Sequence, residues 1–544
     1  MSAVDTILIN ANIRTMDTAL PDAEALAIKD GRIVAVNGTD SIRDLANGHT
    51  RVIDAGGRLI LPGFQDTHIH LQDSGMGFYT GVDLGDVDTL AVLQDKLREQ
   101  AAKTPDTDWV QGTCFSSSAF TANNLTRESL DAAIPDRPVY IAANDGHNAV
   151  LNTVGLRELN ITAGTANPVN GEIIRDARGE PTGFLYEDAV AMAETRLPEP
   201  TIDDYRESTR LSASQANRYG LTGVLDASVG ERHMQVYTNL DAERALTIRV
   251  GATCKVFPHE TDVAEAVERL CDLRRRFRTD KVCMHSAKFF LDGVMENGTA
   301  AMLEDYDTGG NAPIMFDLDH LENLLIAFDA QRFQLHLHTI GDRAVRVALD
   351  GIEAARKANG PWPALHQLAH IQCIHPDDIR RFRALGALAN WQPLWAQPEP
   401  AVTDIAAPMI GPERARYMYA VKSVIETGAP YAISSDWSVS TQNPFPIMQS
   451  AMTRQIPEDG PEGPTFVPEE RIDVEAVVKG YTTNAAAGAW RGDTTGSLSV
   501  GKFADLIILD RDIFHADPYE LGETEVQLTM LEGGDVHRSD NFDG

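Results

Sequence analysis

Two hydrophobic patterns alternate along the central part of the chain. Short apolar runs rich in β-branched residues end in polar residues, and most precede a segment with apolar positions three or four residues apart, as in an amphipathic helix. With an opening strand before residue 70, these runs make eight candidate strands, the later seven being 220–228, 247–254, 285–293, 334–341, 366–373, 387–393 and 431–436. The alternation predicts a parallel sheet, and eight units predict an α/β fold, a closed (β/α)₈ TIM barrel.

The two ends of the chain follow another pattern. Residues 1 to about 60 alternate short β-forming runs with turn signals, and a similar Gly-bounded passage, "GSLSVGKFADLIILDRD", returns at 496–512. We therefore predict a composite β-sandwich domain of residues 1–60 and 485–544, which brings the termini together. The barrel then occupies residues 61–484.

One segment, 71–218, interrupts the repeat after the first barrel strand. It is too long for a single βα loop and contains its own helical pattern, "TLAVLQDKLREQAAK", and its own strand, "RPVYIAAND". We predict an insertion or lid subdomain on the barrel mouth, where long insertions commonly form substrate pockets.

The composition and charge of the chain limit the classes of partner that it can bind. A hydrophobic fraction of 43% over 544 residues predicts a globular protein, and a net charge of −33 argues against nucleic acid and anionic membranes as partners. The five scattered cysteines form no CxxC pair and indicate free thiols in a reducing compartment. No signal-peptide pattern or membrane-length apolar run is present, so we predict a cytoplasmic protein acting on a small molecule. Assembly into a homo-oligomer is left open.

Candidate metal ligands stand at predicted strand ends. His68 and His70, in "LILPGFQDTHIHL", are two residues apart, so both side chains project from one side of the strand and can bind one metal. Hydrogen-bonded histidines at a loop start are the alternative. Four more candidates lie at or near the carboxyl ends of other strands, the face where barrel active sites are built, namely Lys288, His338, His370 and Asp436.

Two histidines compete with members of this set. His336 could replace His338, and His366 could exchange roles with His370. We favour His338 and His370 because they lie closer to the strand ends.

Lys288 lies inside the apolar stretch "AKFFLDG". A buried ammonium beside divalent cations would be repelled, so this lysine must be neutral or chemically altered. Reaction of the neutral amine with carbon dioxide gives an anionic carbamate that can bridge two metals. The alternative is a structural lysine in a salt bridge with Asp292.

Stretches along nearly the whole chain resemble the amidohydrolase superfamily, in its YtcJ-like branch (amidohydrolase family 3), which includes N-substituted formamide deformylase. They are "LPGFQDTHIHL", "KFFLDGVMENGTAAMLEDY", "HTIGDRAV", "LAHIQCIHPDDIRR", "ISSDWSV" and "TTNAAAGAW…GSLSVGKFADLIILDRD". The resemblance implies a (β/α)₈ barrel with a split β-sandwich. One departure is "GVMENGTA", where many relatives have a Gly-Ser-rich segment. We therefore do not transfer the family's substrate contacts to this segment, whereas the metal ligands are unaffected.

The resemblance also implies a metal site. In such a site His68 and His70 bind one metal, and His338 and His370 bind a second. Carbamylated Lys288 bridges the two metals, and Asp436 contacts a metal and the water. One or two Zn²⁺ ions are favoured, with Mn²⁺ or Fe²⁺ as alternatives. A metal lowers the pKa of its bound water to about 7, and Asp436 would pass the proton of that water to the leaving nitrogen.

The predicted function is hydrolysis of a non-peptide, amide-type C–N bond, for example in an N-substituted formamide or an N-acyl compound. A deaminase or cyclic-amide hydrolase is the alternative among enzymes. A non-catalytic regulatory protein on the same scaffold is the alternative of another class, and missing ligands would identify it; none of the expected set is missing.

Predicted substrate contacts are His147, Trp391 and Trp437, with Trp395 as a further pocket-lining candidate. For His147 the alternative is a turn residue in an Asp-Gly-His loop. Core packing is the alternative for the tryptophans.

Overall fold

A computed structural model describes residues 4–105, 108–117 and 119–544. Its strands are, in chain order, β1 (Thr6–Ile9), β2 (Asn12–Arg14), β3 (Asp22–Ala23), β4 (Ala25–Lys29), β5 (Arg32–Asn37), β6 (Arg51–Asp54), β7 (Leu59–Pro62), β8 (Phe64–Ile69), β9 (Val82–Asp83), β10 (Val110–Phe115), β11 (Val139–Ala143), β12 (Asn148–Leu151), β13 (Gly171–Arg175), β14 (Pro181–Glu187), β15 (Leu221–Val229), β16 (Arg249–Lys255), β17 (Val282–Phe290), β18 (Gln334–Thr339), β19 (Gln367–His370), β20 (Leu388–Trp391), β21 (Tyr431–Ile433), β22 (Leu506–Leu509), β23 (Val526–Leu531) and β24 (Gly534–Arg538).

The helices are α1 (Thr39–Arg43), α2 (Leu71–Thr80), α3 (Leu90–Lys103), α4 (Arg127–Asp131), α5 (Thr153–Glu158), α6 (Asp188–Glu194), α7 (Ile202–Arg218), α8 (Glu231–Ala242), α9 (Val263–Arg276), α10 (Leu318–Ala330), α11 (Asp342–Asn359), α12 (Pro376–Leu385), α13 (Ala407–Ala415), α14 (Val421–Glu426), α15 (Pro444–Thr453), α16 (Val474–Tyr481) and α17 (Thr483–Gly488). The chain divides into two compact units. The first holds the residues up to Leu71, Arg210–Asp436 and Thr441–Gly544, and the second Gln72–Thr209 and Trp437–Ser440.

Eight parallel strands form the centre of the first unit. They are hydrogen-bonded in the order β21-β20-β19-β18-β17-β16-β15-β8. The two edge strands meet where the backbone N–H of Asp436, beyond β21, donates to the carbonyl of His68 in β8 at 2.8 Å. The predicted (β/α)₈ barrel is confirmed, and its strands are almost entirely buried because helices cover a parallel sheet.

The barrel helices show the local signals that begin and end a helix. Asp262 caps α9, accepting hydrogen bonds from the backbone N–H groups of Ala264 and Glu265. Three arginines fill the last turn, where the helix dipole favours positive charge. In α11 the buried positions include Val345, Leu349 and Ile352, which make one apolar face at helical spacing.

Two further sheets of the first unit are built from strands near the chain ends, and the second of them combines both ends. One sheet has the order β5-β4-β1-β6 and the other β24-β23-β22-β7-β2-β3. Strand β7 pairs parallel with β2 and antiparallel with β22, so N-terminal and C-terminal segments share one ladder. Fully buried Arg249 of the barrel forms ion pairs with Asp505 at 2.7 Å and Glu532 at 2.9 Å, and these tie β16 to the C-terminal strands.

The stretch "LILPGFQDTHIHL" contains two strands. Strand β7 belongs to the terminal sheets and β8 to the barrel, with Gly63 between them. A Cβ on Gly63 would stand 2.3 Å from the side chain of Thr222, so only glycine allows this close approach. His68 therefore lies inside a barrel strand that begins at Phe64, and His70 follows its end.

The second unit has a six-stranded mixed sheet of its own, in the order β13-β14-β12-β11-β10-β9. Helices α3 and α4 pack on it, and side chains such as Leu93, Phe115 and Leu130 form its core. The five cysteines are free among the residues that the structure describes, as predicted. Within the same ranges, no helix combines the length and apolarity needed to cross a bilayer.

Candidate metal centre and active site

Three predicted ligands meet at the carboxyl edge of the barrel. One donor atom from each of His68, His370 and Asp436 lies within 4.8 Å of the other two, and all three residues are buried. The Asp436 Oδ1 atom lies 3.4 Å from His68 Nε2 and 3.2 Å from His70 Nε2. Imidazoles that converge on a buried carboxylate are the donor set that divalent metals bind, so these residues fit a metal.

Lys288 lies in the same cluster. Its side chain is fully buried, and Nζ is 3.2 Å from His68 Nε2. Burial lowers the pKa of Lys288 to about 7, against the charge of Asp436, and Lys255 lowers it further.

The alternative of a Lys288–Asp292 salt bridge is wrong. Within the described ranges Lys288 forms no ion pair with Asp292. The carboxylate of Asp292 instead accepts hydrogen bonds from the backbone N–H groups of Ala301, Ile340 and Gly341, and it lies 3.3 Å from His338 Nδ1.

The structure also places the competing histidines. His336 Nε2 is 2.8 Å from His68 Nδ1, so this hydrogen bond fixes the orientation of the His68 ring. His338 lies beside His370, with ring centroids 4.6 Å apart. His366 precedes β19, receives the backbone N–H of Leu335 and lies 3.0 Å from Asp329, away from the strand's carboxyl end.

Burial keeps His68, His336 and His370 neutral by lowering the pKa of each. It is the largest cause that lowers the pKa of His370 to about 3, and it lowers the pKa of His68 and His336 well below the usual value. For Asp436 burial acts in the raising direction, but the hydrogen bond with His70 and the nearby His370 and Lys288 outweigh it and lower the pKa. Neutral imidazoles beside an ionised carboxylate are the protonation states that metal binding requires.

Two of these residues have an unusual backbone. His370 has a φ of +77° and Asp436 a φ of +52°. Residues other than glycine adopt this left-handed backbone region at a cost of about 1–3 kcal/mol. Such strain persists where surrounding contacts hold it and is concentrated at functional sites. Here it turns both side chains toward the cluster.

A network of buried amide and hydroxyl side chains is hydrogen-bonded to His370. The Gln392 Oε1 atom is 2.9 Å from His370 Nδ1, and Gln392 Nε2 donates to Ser434 Oγ at 2.7 Å. Ser434 in turn donates to Asn390, whose amide reaches Thr67 on β8. Because an amide oxygen only accepts, His370 Nδ1 must carry the hydrogen, which leaves the Nε2 lone pair for a metal.

Replacing Gln392 by methionine is expected to weaken metal binding by about 10–100-fold, the usual effect of losing a partner behind a ligand. Methionine keeps the length but removes the acceptor that fixes the His370 tautomer. Chelator competition on the purified protein measures this affinity. Gln449→Met, at another buried amide of the first unit, is the control and should leave it unchanged. Equal losses in both variants would mean that Gln392 acts only through packing.

The predicted substrate contacts fall in different places. His147 and Trp437 belong to the second unit, where His147 Nδ1 is 2.6 Å from Glu187 and Trp437 stacks on Phe78. Trp391 is fully buried, and strand alternation places it on the side of β20 opposite Asn390, which favours core packing. Trp395 stacks on the His370 ring with centroids 5.1 Å apart.

Sequence reasoning did not select the residues that hold the ligands in place. Asn390 and Gln392 are polar residues two apart in the otherwise apolar "ALANWQP". That spacing on a buried strand was the available signal, because buried polar groups need partners. Asp66, two residues before His68 on a buried strand, carries the same signal; it accepts the backbone N–H groups of His68 and Ser435 and joins β8 to the end of β21.

Comparisons with known proteins identify relatives of this chain. Residues 51–537 match the model of the amidohydrolase family (Amidohydro_3). The protein LONG AFTER FAR-RED 3 of Arabidopsis thaliana is 28% identical over 93% of this chain and 87% of its own length. The N-substituted formamide deformylase of Arthrobacter pascens is 27% identical over 97% of both chains. The putative amidohydrolase YtcJ of Bacillus subtilis is 27% identical over 94% of this chain and 96% of its own.

A solved structure shows the same fold. An uncharacterized metal-dependent hydrolase from Pyrococcus furiosus superposes with a TM-score of 0.73 at 23% identity, covering 94% of this chain and 99% of its own.

The parallel barrel, with imidazole and carboxylate groups gathered at the carboxyl ends of its strands, defines a metal-dependent hydrolase of the TIM-barrel class. The chain belongs to the amidohydrolase family, as the match over most of its length shows. It is a hydrolase of carbon–nitrogen bonds, and the resemblance to the YtcJ-like branch is confirmed.

Proposed function

We propose that this enzyme uses a divalent metal centre to cleave a non-peptide amide C–N bond of a small substrate, with N-substituted formamides as the first class to test. The observation that supports this most is the meeting of His68, His370, Asp436 and Lys288 at one point of the barrel edge. The deformylase from Arthrobacter pascens, similar over the whole length, supports the choice of substrate class. The free cysteines favour a cytoplasmic enzyme.

The ligands divide into two groups. We infer that His68 and His70 would hold one metal and His338 and His370 a second, with Lys288 and Asp436 as the remaining ligands. Zinc suits these nitrogen and oxygen donors, and manganese or iron are the alternatives. When bound, the metal supplies a water of lowered pKa and a Lewis acid for the substrate carbonyl.

Lys288 contributes through its amine. Burial keeps a large share of this amine neutral near pH 7. The neutral nitrogen bonds to the carbon of carbon dioxide and loses one proton to solvent, which gives a carbamate with one negative charge. If two metals are bound, that anion would offset the repulsion between them.

Asp436 moves the proton. The pKa of its carboxyl lies below the usual value, so it is ionised at neutral pH and can accept the proton of the attacking water. The protonated carboxyl of Asp436 then donates that proton to the departing nitrogen of the substrate. His70, 3.2 Å from Asp436 Oδ1, orients the carboxylate.

Product analysis tests this function against its alternatives. Protein purified without chelators is analysed for metals and then assayed with N-substituted formamides, N-acyl amines, cyclic amides and aminated heterocycles. We expect a free amine and formate, or another carboxylate, and no ammonia from the heterocycles. Ammonia from the heterocycles alone would establish a deaminase. A fully metal-loaded protein without any hydrolysis would favour a non-catalytic role.

A further inference from the structure

A line of hydrogen-bonded amide side chains crosses the interior of the barrel toward His370. Gln367 Nε2 donates to Gln334 Oε1 at 2.7 Å, and Asn390 Nδ2 donates to Gln367 Oε1 at 2.9 Å. All three amides are fully buried, on the neighbouring strands β18, β19 and β20. Barrel interiors are normally filled by branched apolar side chains, and a buried amide is stable there only when its hydrogen bonds are made.

Backbone carbonyls fix the orientation of these amides at the end of the line that is remote from His370. Gln334 Nε2 donates to the carbonyls of Leu365 at 2.8 Å and Gly488 at 2.9 Å. Because a carbonyl only accepts, Gln334 must present its oxygen to Gln367. Gln367 must then present its own oxygen to Asn390.

A second carbonyl fixes the end of the line that is near the metal centre. Asn390 Nδ2 also donates to the carbonyl of Thr67 on β8 at 3.1 Å, so Asn390 Oδ1 is an acceptor and faces Ser434. Ser434 Oγ lies 2.6 Å from that oxygen, and the single hydroxyl hydrogen must lie between the two atoms. Ser434 can therefore only accept from Gln392, whose Nε2 lies at 2.7 Å. Gln392 is left with its oxygen toward His370.

All the bonds in this line run in one direction, from the ring N–H of His370 toward Gln334. Hydrogen bonds in such a series polarise one another, which strengthens the arrangement as a whole. Turning over any single amide would place two oxygens, or two N–H groups, face to face. The carbonyl of Thr67 is thus connected to the protonation of His370 through three side chains.

We propose that Asn390 is a positioning residue that selects the tautomer of His370, because it transmits the direction of the Thr67 carbonyl through Ser434 and Gln392. The inference rests on the proposed metal centre, since the tautomer matters only if His370 Nε2 must be free to bind a metal. Partners that fix the tautomer of a ligand histidine raise its affinity for the metal.

Competition with a chelator for Zn²⁺, measured on the full chain, tests this role. Asn390→Leu removes the acceptor that holds the Ser434 hydrogen, so Gln392 can turn its Nε2 toward His370 and favour the other tautomer. We expect zinc affinity to fall about 10–100-fold. Asn390→Asp loses the bond to Thr67 but keeps an acceptor for Ser434, so it should retain zinc affinity.

The tautomer itself is measured by NMR on the full chain, labelled with ¹⁵N-histidine and freed of metal. The His370 signals are identified by their absence in His370→Gln. We expect hydrogen on Nδ1 in the unaltered chain and in Asn390→Asp, and a mixture of tautomers in Asn390→Leu. This measurement needs neither metal nor substrate. Failure of the unaltered chain to bind zinc would therefore reject the proposed metal centre, while the tautomer would still decide the role of Asn390.

Asn217→Leu is the matched control. Asn217 is another fully buried asparagine of the first unit, and its Nδ2 donates to the carbonyls of Leu221 and Thr247. Its replacement should change neither zinc affinity nor the His370 tautomer. Equal losses of zinc affinity in Asn390→Leu and Asn390→Asp, or the same loss in Asn217→Leu, would overturn the proposal. Hydrogen on Nε2 of His370 in the unaltered chain would overturn it as well, even if Asn390→Leu does not fold.

Discussion

Lys288→Ala is expected to lose metal and nearly all hydrolysis, and short carboxylates such as acetate or propionate should restore part of the activity. The side chain is fully buried with Nζ 3.2 Å from His68 Nε2, so its removal leaves a cavity among the ligands. Two cations close together need an anion between them, and an added carboxylate can occupy that position. Metal analysis and rates at increasing acetate concentration measure both effects.

Lys281→Ala is the matched control for this experiment. Lys281 directly precedes the strand that carries Lys288 and forms an ion pair with Asp241 at 3.4 Å. Its loss should leave metal content unchanged, and acetate should have no effect. Full metal content in Lys288→Ala, or an unmodified amine at Lys288 in a crystal grown with metal and bicarbonate, would refute the carbamate.

Asp436→Asn is expected to lower kcat by about 10²–10⁴-fold, the usual contribution of a general base. Asparagine keeps the shape and one oxygen, so folding and much of the metal should remain. The lost group is the carboxylate that accepts and returns the proton. Steady-state kinetics should show the change in kcat with a smaller change in KM.

Asp342→Asn provides the comparison. Asp342 is a buried carboxyl that follows another barrel strand, and it accepts the backbone N–H of Leu303, a bond that asparagine can keep. The Asp342→Asn variant should have a kcat near that of the unaltered enzyme. Turnover close to normal in Asp436→Asn would exclude the proton-transfer role.

The fold could be predicted because its signals are local. Alternating strand and helix periods identified the eight strands, and β16, predicted at 247–254, spans Arg249–Lys255. Local patterns did not reveal that Leu59–Pro62 and Phe64–Ile69 belong to different sheets. That division depends on which distant strand each one pairs with, and pairing is not encoded in a short window.

The sequence by itself selected His68, His70, Lys288, His338, His370 and Asp436, because strand ends on one barrel face must meet and these residue types bind metals. Only the tertiary structure decided how they are held. The parallel register sets Lys288 opposite His336, and His336 reaches His68 across 268 residues of sequence. The pairing of Gln392 with His370 likewise arises when separate strand ends are brought to one edge. Residue type and spacing indicate what a side chain can do, whereas distance, burial and partners exist only after the chain has folded.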